Sequence, residues 1–163
     1  MAHKQFELPT LVFGSVELHR LQREMEALEE YMIQADIRTP GKQAPLPKMS
    51  RFLEAVADNN DLHLLKPEDR KQLSAVLKQI SETAPTIHIS FAADPSAAFT
   101  AKVVGWFRTN IHPHSLIQVG LQPGIAAGCI VRTNNKSFDF SLRNRFFEKR
   151  DFLTQSIEGK TSA

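Results

Sequence analysis

The chain has 163 residues, which allow one domain or two small ones of about 80 residues each and exclude a large multidomain enzyme. Apolar residues make up 42%, and 20 Lys+Arg stand against 18 Asp+Glu, which is typical of a folded chain and excludes a strong basic field for nucleic acid or anionic lipid. The longest apolar run, at residues 125–131, is too short to cross a bilayer, and no signal-peptide core follows Met1. The single Cys129 excludes an internal disulfide, so we expect a protein of the reducing cytoplasm.

Helical patterns dominate residues 1–84. Ser15 is the expected N-cap of a first helix, whose apolar residues recur at alternating spacings of three and four: Leu18, Leu21, Met25, Leu28 and Met32. After a proline-rich stretch at residues 39–47, Ser50 is expected to cap a second helix and Pro67 to open a third. The apolar seam of the first helix fits two interpretations, a helical bundle within this chain or a docking helix for another subunit.

From Pro85 onward the pattern changes to strands. Residues 86–91 alternate apolar and polar side chains, which predicts a half-buried strand. Asp94-Pro95 then starts a covering helix with one apolar face: Phe99, Val103, Trp106 and Phe107. We expect a second strand at residues 116–121 and a hairpin over residues 127–140 that turns at Asn134-Asn135.

Ser141 is the expected cap of a final helix. Its apolar side chains are predicted to face the sheet (Leu142, Phe146 and Leu153), and its basic ones to form an exposed surface (Arg143, Arg145, Lys149 and Arg150). Because Glu148 and Asp151 interrupt the basic run, this surface favours protein contact over nucleic acid. The whole pattern predicts an α+β fold with a helical domain at 1–84 and an α/β domain at 85–163, in which strand, helix, strand, hairpin and helix build a mixed sheet.

The sequence lacks the common motifs of catalysis and cofactor binding. Gly41-Lys42 is followed by Gln43, so a phosphate-binding loop is excluded, and Gly14-Ser15 lacks the second glycine of a serine-hydrolase elbow. His112 and His114 flank a proline without further ligands nearby, and Cys129 has apolar neighbours that disfavour a thiolate. We therefore expect a non-catalytic chain with no catalytic residue, no cofactor and no metal.

Two segments near the end of the chain carry a family resemblance. The run from Gly120 to Arg132, followed by Phe138 to Arg145, resembles the C-terminal signature of the delta subunit of rotary ATP synthases, the counterpart of the mitochondrial oligomycin-sensitivity-conferring protein. The signature is a small apolar stretch ending in a glycine-containing strand, a hairpin, and an Asp-x-Ser-x-Arg helix start. Its structural residues are matched here by Gly128, Asp139 and Ser141.

The resemblance covers residues 50–153 and departs from the family in two places. Residues 51–65 look like the last helices of the family's N-terminal bundle, but only 48 residues precede Met49, too few for the family's six-helix bundle. Ala127 stands where the family has the first glycine of a Gly-Gly pair.

The resemblance implies a peripheral-stalk subunit without catalytic activity. Such a subunit binds the alpha subunits of the catalytic head and the b-subunit stalk, and lies on the cytoplasmic face of the inner membrane through the complex alone. From pattern and expected exposure we predict contact with the head through Leu18, Leu21, Met25 and Leu28. We predict contact with the stalk through Arg143, Arg145, Phe146, Lys149 and Arg150.

Two alternative functions stay open. The E-type stalk subunit of vacuolar-like ATPases and the related regulator of secretion ATPases share the C-terminal layout, but they begin with a continuous coiled coil that Pro40, Pro45 and Pro47 disfavour. A small nucleic-acid-binding α/β module would use the basic final helix, and its binding would weaken with salt.

Overall fold

The computed structural model describes residues 6–40, 45–125, 127–143, 147, 149–150 and 154. These residues form an α+β fold, as predicted, with the following elements: α1 (Ser15–Arg38), α2 (Arg51–Asn59), α3 (Pro67–Thr83), β1 (Thr86–Phe91), α4 (Ala97–Asn110), β2 (Leu116–Leu121), β3 (Cys129–Arg132) and β4 (Ser137–Asp139). A short 3₁₀ turn at Pro123–Ile125 lies between β2 and β3.

The chain divides into two compact units. The first comprises residues 1–86 and 98–117, and the second comprises residues 87–97 and 118–163. This division differs from the predicted boundary at residue 85, because residues 98–117, which include most of α4 and the turn after it, group with the helical part. The physical reason is a set of hydrogen bonds from Arg108, His114 and Ile117 to the segment that precedes α1.

Helix α1 is the longest element of the first unit. It begins one residue earlier than a Ser15 cap would place it: Gly14 is the N-cap, and the Glu17 carboxylate accepts a hydrogen bond of 3.0 Å from the Gly14 N–H. The apolar seam is buried against α2 and α3, whose inward side chains include Leu53, Val56, Leu73, Leu77 and Ile80. Of the two interpretations of the seam, the structure confirms the bundle within this chain.

Polar contacts fix the other two helices against α1. Ser50 caps α2 as predicted, accepting from the Leu53 N–H at 3.3 Å, and the Glu24 carboxylate accepts from both the N–H and the hydroxyl of Ser50. Pro67 opens α3 as predicted. The buried Arg70 guanidinium pairs with the Glu29 carboxylate, which ties α3 to the middle of α1.

Helix α4 presents a different face inward than the sequence predicts. Val104 is its fully buried residue, whereas Phe99 and Trp106 are about half exposed. Val104 and Arg108 lie one turn apart, and Arg108 hydrogen-bonds to backbone carbonyls of the first unit. Of the predicted aromatic face, Phe99 and Trp106 are therefore exposed, whereas Phe107 is half-buried.

The four strands form one sheet in the order β2-β1-β3-β4. The β1–β3 and β3–β4 pairs are antiparallel, with Ile89 opposite Val131 and Val131 opposite Phe138. At the start of β1 and β2 the Leu116 N–H bonds to the Pro85 carbonyl, and past their ends the Gln122 N–H bonds to the Phe91 carbonyl. Both bonds span the same sequence separation, as a parallel pair requires, so the sheet is mixed as predicted.

Candidate functional site

Gly128 lies at the junction where the hairpin ends and the chain continues past Ser141. Its φ of 92° is one that side-chain-bearing residues rarely adopt, and a Cβ there would lie 2.4 Å from the Phe140 carbonyl oxygen. Two backbone hydrogen bonds of 2.9 Å close the junction, from Phe140 to Cys129 and from Leu142 to Ala127. Glycine is therefore required at residue 128 by close packing of backbone against backbone.

Asp139 and Ser141 form a local turn at the same junction. The Asp139 Oδ1 accepts from the Ser141 N–H at 2.8 Å, and Ser141 is buried. Hydrogen bonds from the Ser141 side chain and backbone, with a smaller contribution from the Arg143 charge, lower the pKa of Asp139 despite slight desolvation. The structure thus brings the three signature residues together, each in a structural role.

Apolar side chains are exposed around this junction. The Phe138 and Phe140 rings stack with their centroids 6.3 Å apart and their planes 16° from parallel. Phe138 is 45% exposed and Phe140 63%, because β4 is the edge strand of the sheet. Leu142, predicted to face the sheet, is 40% exposed, and its N–H donates to the Ala127 carbonyl at the junction.

Basic side chains accompany these apolar ones. The Arg143 guanidinium lies 5.8 Å from the centre of the exposed Phe147 ring, within cation–π distance, and Lys149 and Arg150 are exposed. We use the name aromatic–basic surface for the exposed aromatic, apolar and basic residues of this segment: Phe138, Phe140, Leu142, Arg143, Phe147, Lys149 and Arg150. Of the predicted stalk-contact residues, Arg145 and Phe146 lie outside the described residues, as does Leu153 on the same predicted helix.

The predicted head-contact residues are placed differently. Leu18 and Leu21 are fully buried, and Met25 and Leu28 are 2% and 3% exposed. They pack in the core of the first unit, so the prediction that they form an exposed contact surface is wrong. A seam of two and a half heptads does not specify its partner, and here α2 and α3 are that partner.

Hydrogen bonds hold the rings of His112 and His114, and burial keeps the Cys129 thiol protonated. The His112 Nδ1 accepts from the His114 N–H at 3.2 Å, and the His114 Nε2 lies 3.0 Å from the Phe6 carbonyl oxygen, to which it donates. Burial, together with the Asp139 charge, raises the pKa of the Cys129 thiol, which keeps it protonated at neutral pH. Within the described part of the chain, no group of three His, Cys, Asp or Glu side chains is placed to hold a metal ion.

The exposed aromatic residues were the part of this site that the sequence reasoning missed. Phe138 and Phe140 alternate with Ser137 and Asp139, a pattern that fits an inward face as well as an outward one. In the structure all three residues of β4 are exposed, so the alternation there does not separate a buried face from an exposed one.

Comparison with models of known protein families and with curated proteins found no match. No helix among the described residues is long and apolar enough to cross a membrane.

Proposed function

We propose that this chain is a non-catalytic peripheral-stalk subunit of a rotary ATP synthase, which links the catalytic head to the b-subunit stalk. The observation that carries the proposal is the junction of Gly128, Asp139 and Ser141. Three residues that match the delta-subunit signature in sequence lie together in the structure: Gly128 has a positive φ against the Phe140 backbone, and the Asp139 carboxylate accepts from the Ser141 N–H.

The aromatic–basic surface is the proposed contact for the stalk. Stacked phenylalanines offer a large rigid apolar area at low entropic cost, and exposed cations at its rim select an acidic partner. An amphipathic helix that carries Asp or Glu beside its apolar face satisfies both requirements. The role is mechanical, because a stator resists torque through extended contacts and needs no chemistry of its own.

The head contact is reassigned to exposed residues of the first unit. Ile33 and Ile37 lie one turn apart near the end of α1, and they are 56% and 74% exposed. They extend beyond Met32, the last residue of the buried seam. We propose that they pack against N-terminal helices of the alpha subunits, in place of the four buried residues.

This proposal also assigns a location. The subunit would lie on the cytoplasmic face of the inner membrane, held there by the b subunit and without membrane contact of its own.

Affinity purification of the tagged full chain from its native cells in mild detergent, followed by mass spectrometry, tests the proposal. We expect to recover the alpha, beta and b subunits. Arg143→Glu combined with Lys149→Glu should lose the b subunit, whereas Ile33→Asp should lose the alpha subunits. Lys102→Glu, an exposed charge reversal on α4, is the matched control and should retain all of them.

Two outcomes would contradict the proposal. Recovery of RNA-binding proteins with salt-sensitive RNA binding would favour the nucleic-acid module. Recovery of a vacuolar-like or secretion ATPase would favour the E-type alternative.

A further inference from the structure

The segment Phe6–Phe13, which we call the strap, crosses the first unit before α1 begins. It inserts Leu8 and Val12 into the apolar core, where they are 3% and 0% exposed. No regular strand pairing satisfies its backbone in the described structure, so side chains from elsewhere do this instead. Asn60 is one of them: its Oδ1 accepts from the Glu7 N–H at 2.8 Å, and its Nδ2 donates to the Glu7 carbonyl at 2.9 Å.

Arg108 of α4 is the second side chain that hydrogen-bonds to the backbone of the strap. Its Nη1 donates to the Leu8 carbonyl at 2.5 Å and to the Pro9 carbonyl at 3.0 Å, and its Nη2 donates to the Val12 carbonyl at 2.5 Å. One guanidinium thus satisfies three carbonyls in a single turn of the strap, about a hundred positions away in sequence. A lysine ammonium could not match this planar arrangement.

Burying the Arg108 guanidinium costs free energy because it removes a charged group from water. Burial lowers the pKa of Arg108 to about 10, against the opposing effect of the Glu7 charge, and the buried Nε has no hydrogen-bond partner in the described structure. Such a placement is retained in a fold only where the remaining hydrogen bonds compensate for it. The three bonds to the strap are the compensation here.

Two more contacts join the strap to the stretch after α4. The His114 Nε2 donates to the Phe6 carbonyl, and the Ile117 N–H donates to the Phe13 carbonyl at 2.6 Å. The strap therefore receives hydrogen bonds at its beginning, middle and end from residues 108–117. These hydrogen bonds join α4 and the stretch after it to the strap.

We infer that Arg108 is a latch that makes the strap and α4 a single conformational unit, so that neither leaves the helical bundle while the other stays. Opening the latch withdraws Leu8 and Val12 from the core and frees α4 at the same time. The inference concerns the first unit alone and goes beyond the proposed function, since it requires no partner subunit.

Residue-resolved amide hydrogen exchange on the full chain tests the latch. In Arg108→Leu we expect exchange at the Val12 amide and at the α4 amides to accelerate together, on the order of 100-fold, while α3 exchanges as in the unaltered protein. Lys102→Leu removes an exposed charge from the same helix and should change neither segment. Asn60→Ala should accelerate the Glu7 amide and leave α4 protected, because the Asn60 side chain hydrogen-bonds to Glu7 and Val56.

In Arg108→Leu, acceleration of the Val12 amide without the α4 amides, or of the α4 amides without Val12, would overturn the inference. A uniform acceleration that includes α3 would also overturn it, since Arg108 would then contribute only general stability. Should Arg108→Leu fail to fold, Arg108→Lys is subject to the same criterion with a smaller effect, because one ammonium retains part of the contact.

Discussion

Replacing Gly128 with alanine tests the junction on which the functional proposal rests. The new methyl group would lie 2.4 Å from the Phe140 carbonyl oxygen and 3.0 Å from the Ser141 Cα. Both neighbours are backbone atoms, so neither can move aside as a flexible side chain would. The substitution must therefore change the backbone on one side of the junction.

The cost has two parts. A positive φ at a residue with a Cβ costs about 1–2 kcal/mol. Relieving the clash separates the chain at Gly128 from Phe140, which weakens the adjacent bond from the Leu142 N–H to the Ala127 carbonyl by about 1 kcal/mol. We expect Gly128→Ala to lower the free energy of opening in the second unit by about 2–3 kcal/mol.

Amide hydrogen exchange in β3 and β4 measures this directly, because the two units of the chain need not unfold together. Exchange should accelerate on the order of 100-fold in the hairpin and stay unchanged in α1 and α3. Gly105→Ala is the matched control: a Cβ there meets nothing within 4 Å, and within α4 alanine should stabilise by about 1 kcal/mol. Equal hairpin exchange in Gly128→Ala and the unaltered protein would refute the reasoning.

Three further predictions concern stability. Leu21→Ala should lower the free energy of unfolding of the first unit by about 2–5 kcal/mol in urea titrations, whereas Val16→Ala, at an exposed position of the same helix, should change it by less than about 0.5 kcal/mol. Glu29→Gln should cost about 1–3 kcal/mol in the same titrations, because the buried Arg70 loses its counter-ion while the one-third-exposed Glu29 site keeps some solvent screening. The pKa of Asp139 is lowered on folding, so the Asp139 carboxylate stabilises the hairpin fully above the pKa of the unfolded chain, near 4, and this stabilisation is lost as the pH falls through the folded pKa. Amide exchange in the hairpin of Asp139→Asn should lack that pH dependence. The same pH profile in the variant and the unaltered protein would contradict the prediction.

Local sequence signals were sufficient for the elements whose ends are fixed locally. Ser50 accepts a hydrogen bond from within its own helix, and Pro67 opens α3 because its missing N–H needs no partner there. Alternation placed β1 correctly, and β2 was recovered at its observed bounds. In each case the deciding interaction lies within a few residues of the position that signals it.

Long-range interactions decided the parts that the sequence did not predict. The inward face of α4 depends on Arg108, whose partners are about a hundred positions away. Helical periodicity shows that an apolar face exists, but a charged residue on the opposite face is expected in solvent. No local rule indicates that three backbone carbonyls of the strap need this guanidinium.

The same reasoning explains the burial of the predicted head-contact residues and the exposure of the aromatic ones. A buried seam and a docking seam have identical periodicity, so Leu21 and Met25 could be assigned only when α2 and α3 were seen to cover them. The aromatic–basic surface is the opposite case. Phe138 and Phe140 are apolar residues of the kind that usually fill a core, yet they are exposed at the edge of the sheet. Phe138 lies in this three-residue edge strand and Phe140 directly after it, so their exposure follows from the place of β4 in the sheet and not from the apolar character of the residues.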